Sequence, residues 1–222
     1  MLIAAAVGLV TLVASPTFAA EGGDDTTHRF YVRAGAAGFF YLPALTVRSG
    51  GNDIPGADAS LSPNFTPVFE LGVFPFSGLG LLDDLSVSLT VGFPPEATVD
   101  GAGSLASSGT IGKARYGPSV LSAHYHFRHL PIVHPYVGAG FTYVIIFSTE
   151  DGALKDLHVD PAFGAVFQTG VDVPIDGHWG LYADAKLALL SLDVTGTLNG
   201  APTTANLPLN PIIVTLGGSY RF

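Results

Sequence analysis

In the run Leu85-Ser86-Val87-Ser88-Leu89-Thr90-Val91-Gly92-Phe93, bulky apolar residues hold every odd position and small or hydroxylic residues every even one. Side chains of a β-strand point alternately to its two faces, so a period of two marks a strand whose faces meet different surroundings. The same test finds seven more segments. Residues 29–41 set Phe30, Val32, Ala34, Ala36 and Phe40 against Arg33, and residues 65–74 set Phe69, Leu71 and Val73 against Glu70. Leu121, Ala123, Tyr125 and Phe127 alternate with Ser122, His124 and His126. Residues 135–148 place Val137, Ala139, Phe141, Tyr143, Ile145 and Phe147 on one face. Phe163, Phe167 and Val171 oppose Gln168 and Asp172. Trp179, Leu181, Ala183, Ala185, Leu187 and Leu189 oppose Asp184 and Lys186, and Val214, Leu216 and Tyr220 oppose Ser219 and Arg221.

Composition decides which face meets water. Charged residues make up 12% of the 222-residue chain and apolar ones 48%, against roughly 25% charged in an ordinary soluble domain. After the first twenty residues no apolar run approaches the roughly 20 needed for a membrane helix. A chain that meets lipid without helices satisfies its backbone only as a closed barrel. None of the apolar faces carries a charge, where an Arg or Lys facing lipid at mid-depth would cost about 2–4 kcal/mol. The expected fold is all-β: an eight-stranded antiparallel up-and-down transmembrane β-barrel. The competing soluble β-sandwich would bury the apolar faces and expose Arg33, Glu70, Asp184 and Lys186.

Connector lengths set the orientation. Short connectors at 75–84, 128–134 and 174–178 alternate with long ones at 42–64, 94–115, 149–161 and 194–210, as expected for periplasmic turns and external loops. Aromatics then fall into two belts, Phe40, Phe65, Phe93, Phe147 and Phe163 outside and Phe30, Tyr125, Phe127, Trp179, Tyr220 and Phe222 on the periplasmic side. Residues 1–19 read as a cleaved secretory signal, apolar from Leu2 to Val13, broken at Pro16 and ending in small residues. Residues 20–222 form the single barrel domain, placed in the outer membrane of a Gram-negative-type cell.

An eight-strand barrel has room for side chains or one small ligand. The inward residues of the external half are Phe39, Tyr41, Val68, Val120, Val144, Ile146, Val166, Leu190, Leu192 and Ile213, expected to form an apolar ligand-binding cup. Below them come Arg33, Glu70, His124, His126, Asp172, Asp184, Lys186 and Arg221, expected to pair as a polar plug, with Ser86, Ser88, Tyr136 and Gln168, since enclosed charge is costly unpaired. The inward glycines of Gly138-Ala139-Gly140 make room for bulky plug residues. Pro67 removes a ladder donor inside a strand, marking either a lateral weak point or a harmless strand end.

Catalytic and metal readings compete at one place. Ser122 with His124 could form a nucleophile pair, and His124 with His126 a metal site. Residues two apart on one strand face are expected to point in parallel rather than converge. Plug hydrogen bonding is therefore preferred, with no enzyme activity, no metal and no cofactor.

Several runs resemble the OmpW family of small outer-membrane barrels: Tyr125-His126-Phe127, Pro135-Tyr136-Val137-Gly138-Ala139-Gly140 with Tyr143, and Gly170-Val171-Asp172. They continue in Trp179-Gly180-Leu181-Tyr182-Ala183-Asp184-Ala185-Lys186 and in terminal Tyr220-Arg221-Phe222. The likeness is specific over the second half of the chain and looser over residues 30–93. It implies an eight-strand barrel with a hydrophobic channel, passage of small hydrophobic molecules and, from the terminal Phe, recognition by the barrel-insertion machinery. The expected function is passive uptake of such molecules through the cup, with lateral exit into the bilayer. The alternatives are a structural or surface-receptor barrel acting through its external loops, and a lipid-modifying barrel enzyme. Outer-membrane lipids and small hydrophobic molecules are the expected partners. Nucleic acid is not, because the net charge is −9 and phosphates attract basic surfaces.

Overall fold

A computed structural model describes residues 29–41, 46–76 and 79–222; the expected signal segment lies outside them. Eight strands form the wall: β1 (Phe30–Phe40), β5 (Asn64–Val73), β6 (Leu85–Gly92), β8 (Thr110–His126), β9 (His134–Asp151), β11 (Ala162–Pro174), β12 (Trp179–Leu198) and β14 (Ile212–Arg221). They are hydrogen-bonded in the order β1-β5-β6-β8-β9-β11-β12-β14, and β14 returns to β1. Every pairing is antiparallel, so the ring is closed and the bilayer meets no free sheet edge. The enclosed charges stand where a sandwich could not put them: Arg33, Glu70, Asp184 and Lys186 are each at most 5% exposed.

Alternation explains the rest of the wall. Phe65, Phe69, Leu71, Phe93, Phe163 and Leu216 stand exposed on the outer, lipid-facing surface. On the periplasmic side the rings of Tyr125 and Phe127, Trp179 and Tyr220, and Tyr220 and Phe222 touch edge to face. The inner face is narrow enough that large plug residues fit only against glycine. A Cβ at Gly138 would overlap the His124 ring, one at Gly72 the Tyr31 ring, and one at Gly170 the Tyr136 ring. The inward glycine expected at Gly138 makes room in this way.

Turns at the periplasmic end are short, as expected. Arg128 joins two of them, donating from Nε to Asp84 Oδ1 at 2.6 Å and from Nη2 to the Asp83 carbonyl at 2.6 Å. Asp176 accepts the backbone N–H groups of Trp179 at 2.7 Å and His178 at 2.8 Å, and these donors hold its carboxyl below the usual carboxylate range.

The long external connectors are themselves built largely of strands. They carry six further strands: β2 (Thr46–Ser49), β3 (Asn52–Asp53), β4 (Ala57–Leu61), β7 (Glu96–Gly103), β10 (Lys155–Val159) and β13 (Ala201–Leu209). These pair with one another and with the upper halves of β8 and β12 into a collar. Strand β12 is 20 residues long, about twice the ~9–11 residues that cross the hydrocarbon, so the collar stands outside the bilayer. Its hairpins have a local cause. Asn199-Gly200 joins β12 to β13 with both residues at positive φ, 50° and 82°, the two-residue turn whose twist matches antiparallel strands.

Candidate functional site

The lumen is divided by height. At the bottom, Arg33 on β1 is the hub. Its Nη1 donates to Glu70 Oε1 at 2.7 Å, and its Nη2 donates to both carboxylate oxygens of Asp172 at 2.9 and 2.8 Å. Arg33 and Glu70 are direct cross-strand partners, so register delivers this pair. The guanidinium also lies 4.5 Å from the Tyr31 ring centroid, 4.9 Å from that of Tyr136 and 5.0 Å from that of Tyr182, where rings favour a cation. A second centre is Asp184 Oδ2, which accepts from Lys186 Nζ at 2.6 Å, Gln168 Nε2 at 2.8 Å and the Tyr136 hydroxyl at 3.2 Å. His126 Nδ1 lies 3.3 Å from Asp172 Oδ2, and its Nε2 lies 3.0 Å from Ser86 Oγ. Seven of the eight residues expected in the plug are thus buried and hydrogen-bonded together. Arg221 is partly exposed and sits at the lower edge, lining a recess of about 10 Å³ with Ser219 and Arg128.

One geometric expectation fails. Ser122 Oγ and His124 Nε2, two residues apart on β8, do converge, at 2.8 Å. The His124 ring turns along the strand because Gly138 opposite leaves it space. The same Nε2 also lies 3.0 Å from Gln168 Oε1. The His124 side chain has no exposed surface, and neither it nor Ser122 lines the cavity above. The pair is part of the plug.

Above the plug lies a cavity of about 160 Å³. Nine of the ten residues expected in the cup line it: Phe39, Tyr41, Val68, Val120, Val144, Ile146, Leu190, Leu192 and Ile213. Val166 does not. It is buried in the wall packing between Val120 and Ala188. The cavity continues up into the collar, where Val47, Ala59, Leu105, Leu154, Val159 and Leu207 line it. Sequence reasoning missed these, although alternation persists in short stretches such as Ala205-Asn206-Leu207-Pro208-Leu209. It also missed the hydroxylic floor. The deepest lining residue on β6 is Thr90, on β9 Thr142, on β12 Lys186 and on β14 Thr215.

The ladder on one side of β8 has a gap. Pairing of β6 with β8 ends at Val91↔Ser119, and β7 with β8 begins at Glu96↔Arg115. Between them lie Gly92, Phe93, Pro94 and Pro95 opposite Gly117 and Pro118, and three prolines there have no N–H to donate. Gly92, Tyr116 and Pro118 border the cavity on this side. The Tyr41 and Tyr116 hydroxyls are hydrogen-bonded. Pro67 does not interrupt the wall: β5 keeps register with β1 through Ala36↔Pro67, and the Pro67 carbonyl accepts the Phe93 N–H at 2.9 Å.

A closed eight-strand barrel with a lipid-facing apolar belt, a bonded polar plug and an apolar cavity defines a small outer-membrane barrel protein. The chain belongs to the OmpW family, whose model matches residues 77–222. It is 33% identical over 173 residues, covering 78% of this chain and 73% of the relative, to "Outer membrane protein AlkL" of Ectopseudomonas oleovorans. It is 29% identical, over 95% of this chain and 93% of the relative, to "Dibenzothiophene metabolism operon protein PahQ" of Pseudomonas aeruginosa. The crystal structure of the outer membrane protein OprG from Pseudomonas aeruginosa superposes with a TM-score of 0.76 at 18% identity, covering 88% of this chain and 96% of that one. The protein is therefore an outer-membrane barrel seated in lipid.

Proposed function

We propose that the protein is a passive conduit for small hydrophobic molecules, which enter through the collar, bind in the apolar cavity and leave sideways into the bilayer. The observation that carries this is the change of lining with height. A water-filled pore needs a polar lining throughout, whereas this lumen is apolar above and closed below by bonded charges. Concave apolar sites with few polar groups suit apolar ligands. The plug denies a straight path to the periplasm. The β6–β8 seam, beside the cavity and crossed by the Tyr116 N–H donating to the Pro95 carbonyl at 3.1 Å, offers a route to lipid that breaks few ladder bonds. A relative named for a dibenzothiophene metabolism operon agrees with an apolar cargo. No catalytic step is proposed, because the Ser122–His124 pair is sealed within the plug.

The test is uptake of radiolabelled octane or naphthalene by cells with and without the protein, and with Ile146→Asp or Leu190→Asp. The wild-type chain should raise uptake. Either substitution should cut the increment about tenfold or more, since it puts a carboxylate into apolar surroundings. Equal uptake with and without the protein across a hydrophobic panel contradicts the proposal.

A further inference from the structure

The cavity's polar lining groups do not all have the same standing. Tyr41 and Tyr116 bond to each other, and Thr203 donates to Ser49 Oγ at 3.0 Å. Lys113, near the outer end, lies 3.5 Å from Glu96. On the floor, Thr90 donates to Glu70 Oε2 at 2.8 Å, Thr142 donates to the Ser119 carbonyl at 3.0 Å, and Lys186 donates to Asp184 Oδ2 at 2.6 Å. Thr215 is the exception. It is 2% exposed, it lines the cavity, and its hydroxyl has no hydrogen-bond partner among the described residues. Its cross-strand partner is Asp184, whose Oδ1 is likewise without one. The Thr215 hydroxyl opens to the cavity, so a ligand oxygen that reaches it gains a hydrogen bond without displacing one within the protein.

Charge sets the second limit. The enclosed carboxylates are Glu70, Asp172 and Asp184, and the enclosed cations are Arg33 and Lys186. Arg33 already faces Glu70 and Asp172, and Lys186 already faces Asp184. A carboxylate arriving at the floor would add negative charge where both enclosed cations are engaged, and buried unpaired charge is strongly disfavoured.

We infer that the cavity favours neutral chains carrying one terminal hydroxyl, seated on Thr215 at its floor, and discriminates against the matching carboxylates. This rests on the conduit reading above and names the cargo class for the same site.

The experiment measures uptake of radiolabelled octane by cells carrying the full chain, in competition with unlabelled octane, 1-octanol or octanoate at neutral pH. 1-Octanol should compete better than octanoate by about tenfold or more. Thr215→Val should lower the potency of 1-octanol relative to octane by about three- to tenfold, the worth of one hydrogen bond. Thr215→Ser, which keeps the hydroxyl, should restore that ratio. Folding of each variant is read from its gel mobility before and after heating. If Thr215→Val does not fold, the wild-type comparison of octanol with octanoate decides alone. Octanoate competing as well as 1-octanol overturns the inference, as does an octanol-to-octane ratio unchanged by Thr215→Val. In both cases the conduit reading survives, provided labelled octane uptake depends on the protein. Uptake that does not depend on the protein overturns both.

Discussion

The lower and upper lumen are built on the same strands and differ in what the inward residues do for one another. In the plug, Arg33 pairs with Glu70 and Asp172 and Lys186 pairs with Asp184, and the glycines at 72, 138 and 170 leave room for their neighbours. A few residues further up each strand, Phe39, Val144, Ile146 and Leu190 surround a space they do not fill. The contrast teaches that one wall can hold a bonded polar plug and an apolar cavity, separated by height alone.

That division can be broken most forcefully at the hub. Arg33→Ala should destabilise the barrel by about 3–5 kcal/mol, because it leaves Glu70 and Asp172 buried without their counter-charge. Urea unfolding in detergent, followed by tryptophan emission from Trp179, measures it. Gly138→Val is the steric counterpart. Its side chain would overlap His124 and should cost about 1–3 kcal/mol in the same assay. In the collar the expected effects are smaller. Asn199→Ala places an alanine at φ 50° and should cost about 1 kcal/mol, seen as faster proteolysis of the β12–β13 hairpin with the barrel intact.

Smallest of all is Asp176→Asn in the turn between β11 and β12. Its carboxyl is held below the usual range by the Trp179 and His178 N–H groups. Its contribution is therefore present above the unfolded-state carboxylate pKa and is lost as pH falls through the lower, folded value. The variant should be slightly less stable than the wild type at neutral pH, and the difference should vanish as pH falls through that acid window, as read by urea midpoints.

Much of the wall was legible because lipid punishes errors of phase. A charge on the outward face is so costly that Arg33, Glu70, Asp184 and Lys186 had to be enclosed. The collar was harder to read. Its strands are short and carry Ala, Thr and Pro in place of bulky apolar residues, so alternation is faint, although Asn199-Gly200 and Gly50-Gly51 are turn signals present in the chain. The floor was illegible for a different reason. Thr90, Thr142 and Thr215 look alike as inward hydroxylic residues. Which of them bonds to the plug depends on the stagger of strands distant in sequence, and that is a property of the closed ring. The Ser122–His124 contact was missed on similar grounds, since it needs the space that Gly138 leaves on the next strand.

The position of a bound hydrophobic molecule distinguishes cavity from plug most directly. Solid-state NMR of the isotopically labelled protein in lipid bilayers, with carbon-13 octane added, reads contacts between the guest and individual side chains. The expected result is magnetisation transfer from octane to the methyl groups of Ala37, Val120, Ile146 and Leu190, and none to the side chains of Arg33, Glu70 or Asp172. Transfer to the charged residues, or none to the four methyl-bearing ones, would contradict it.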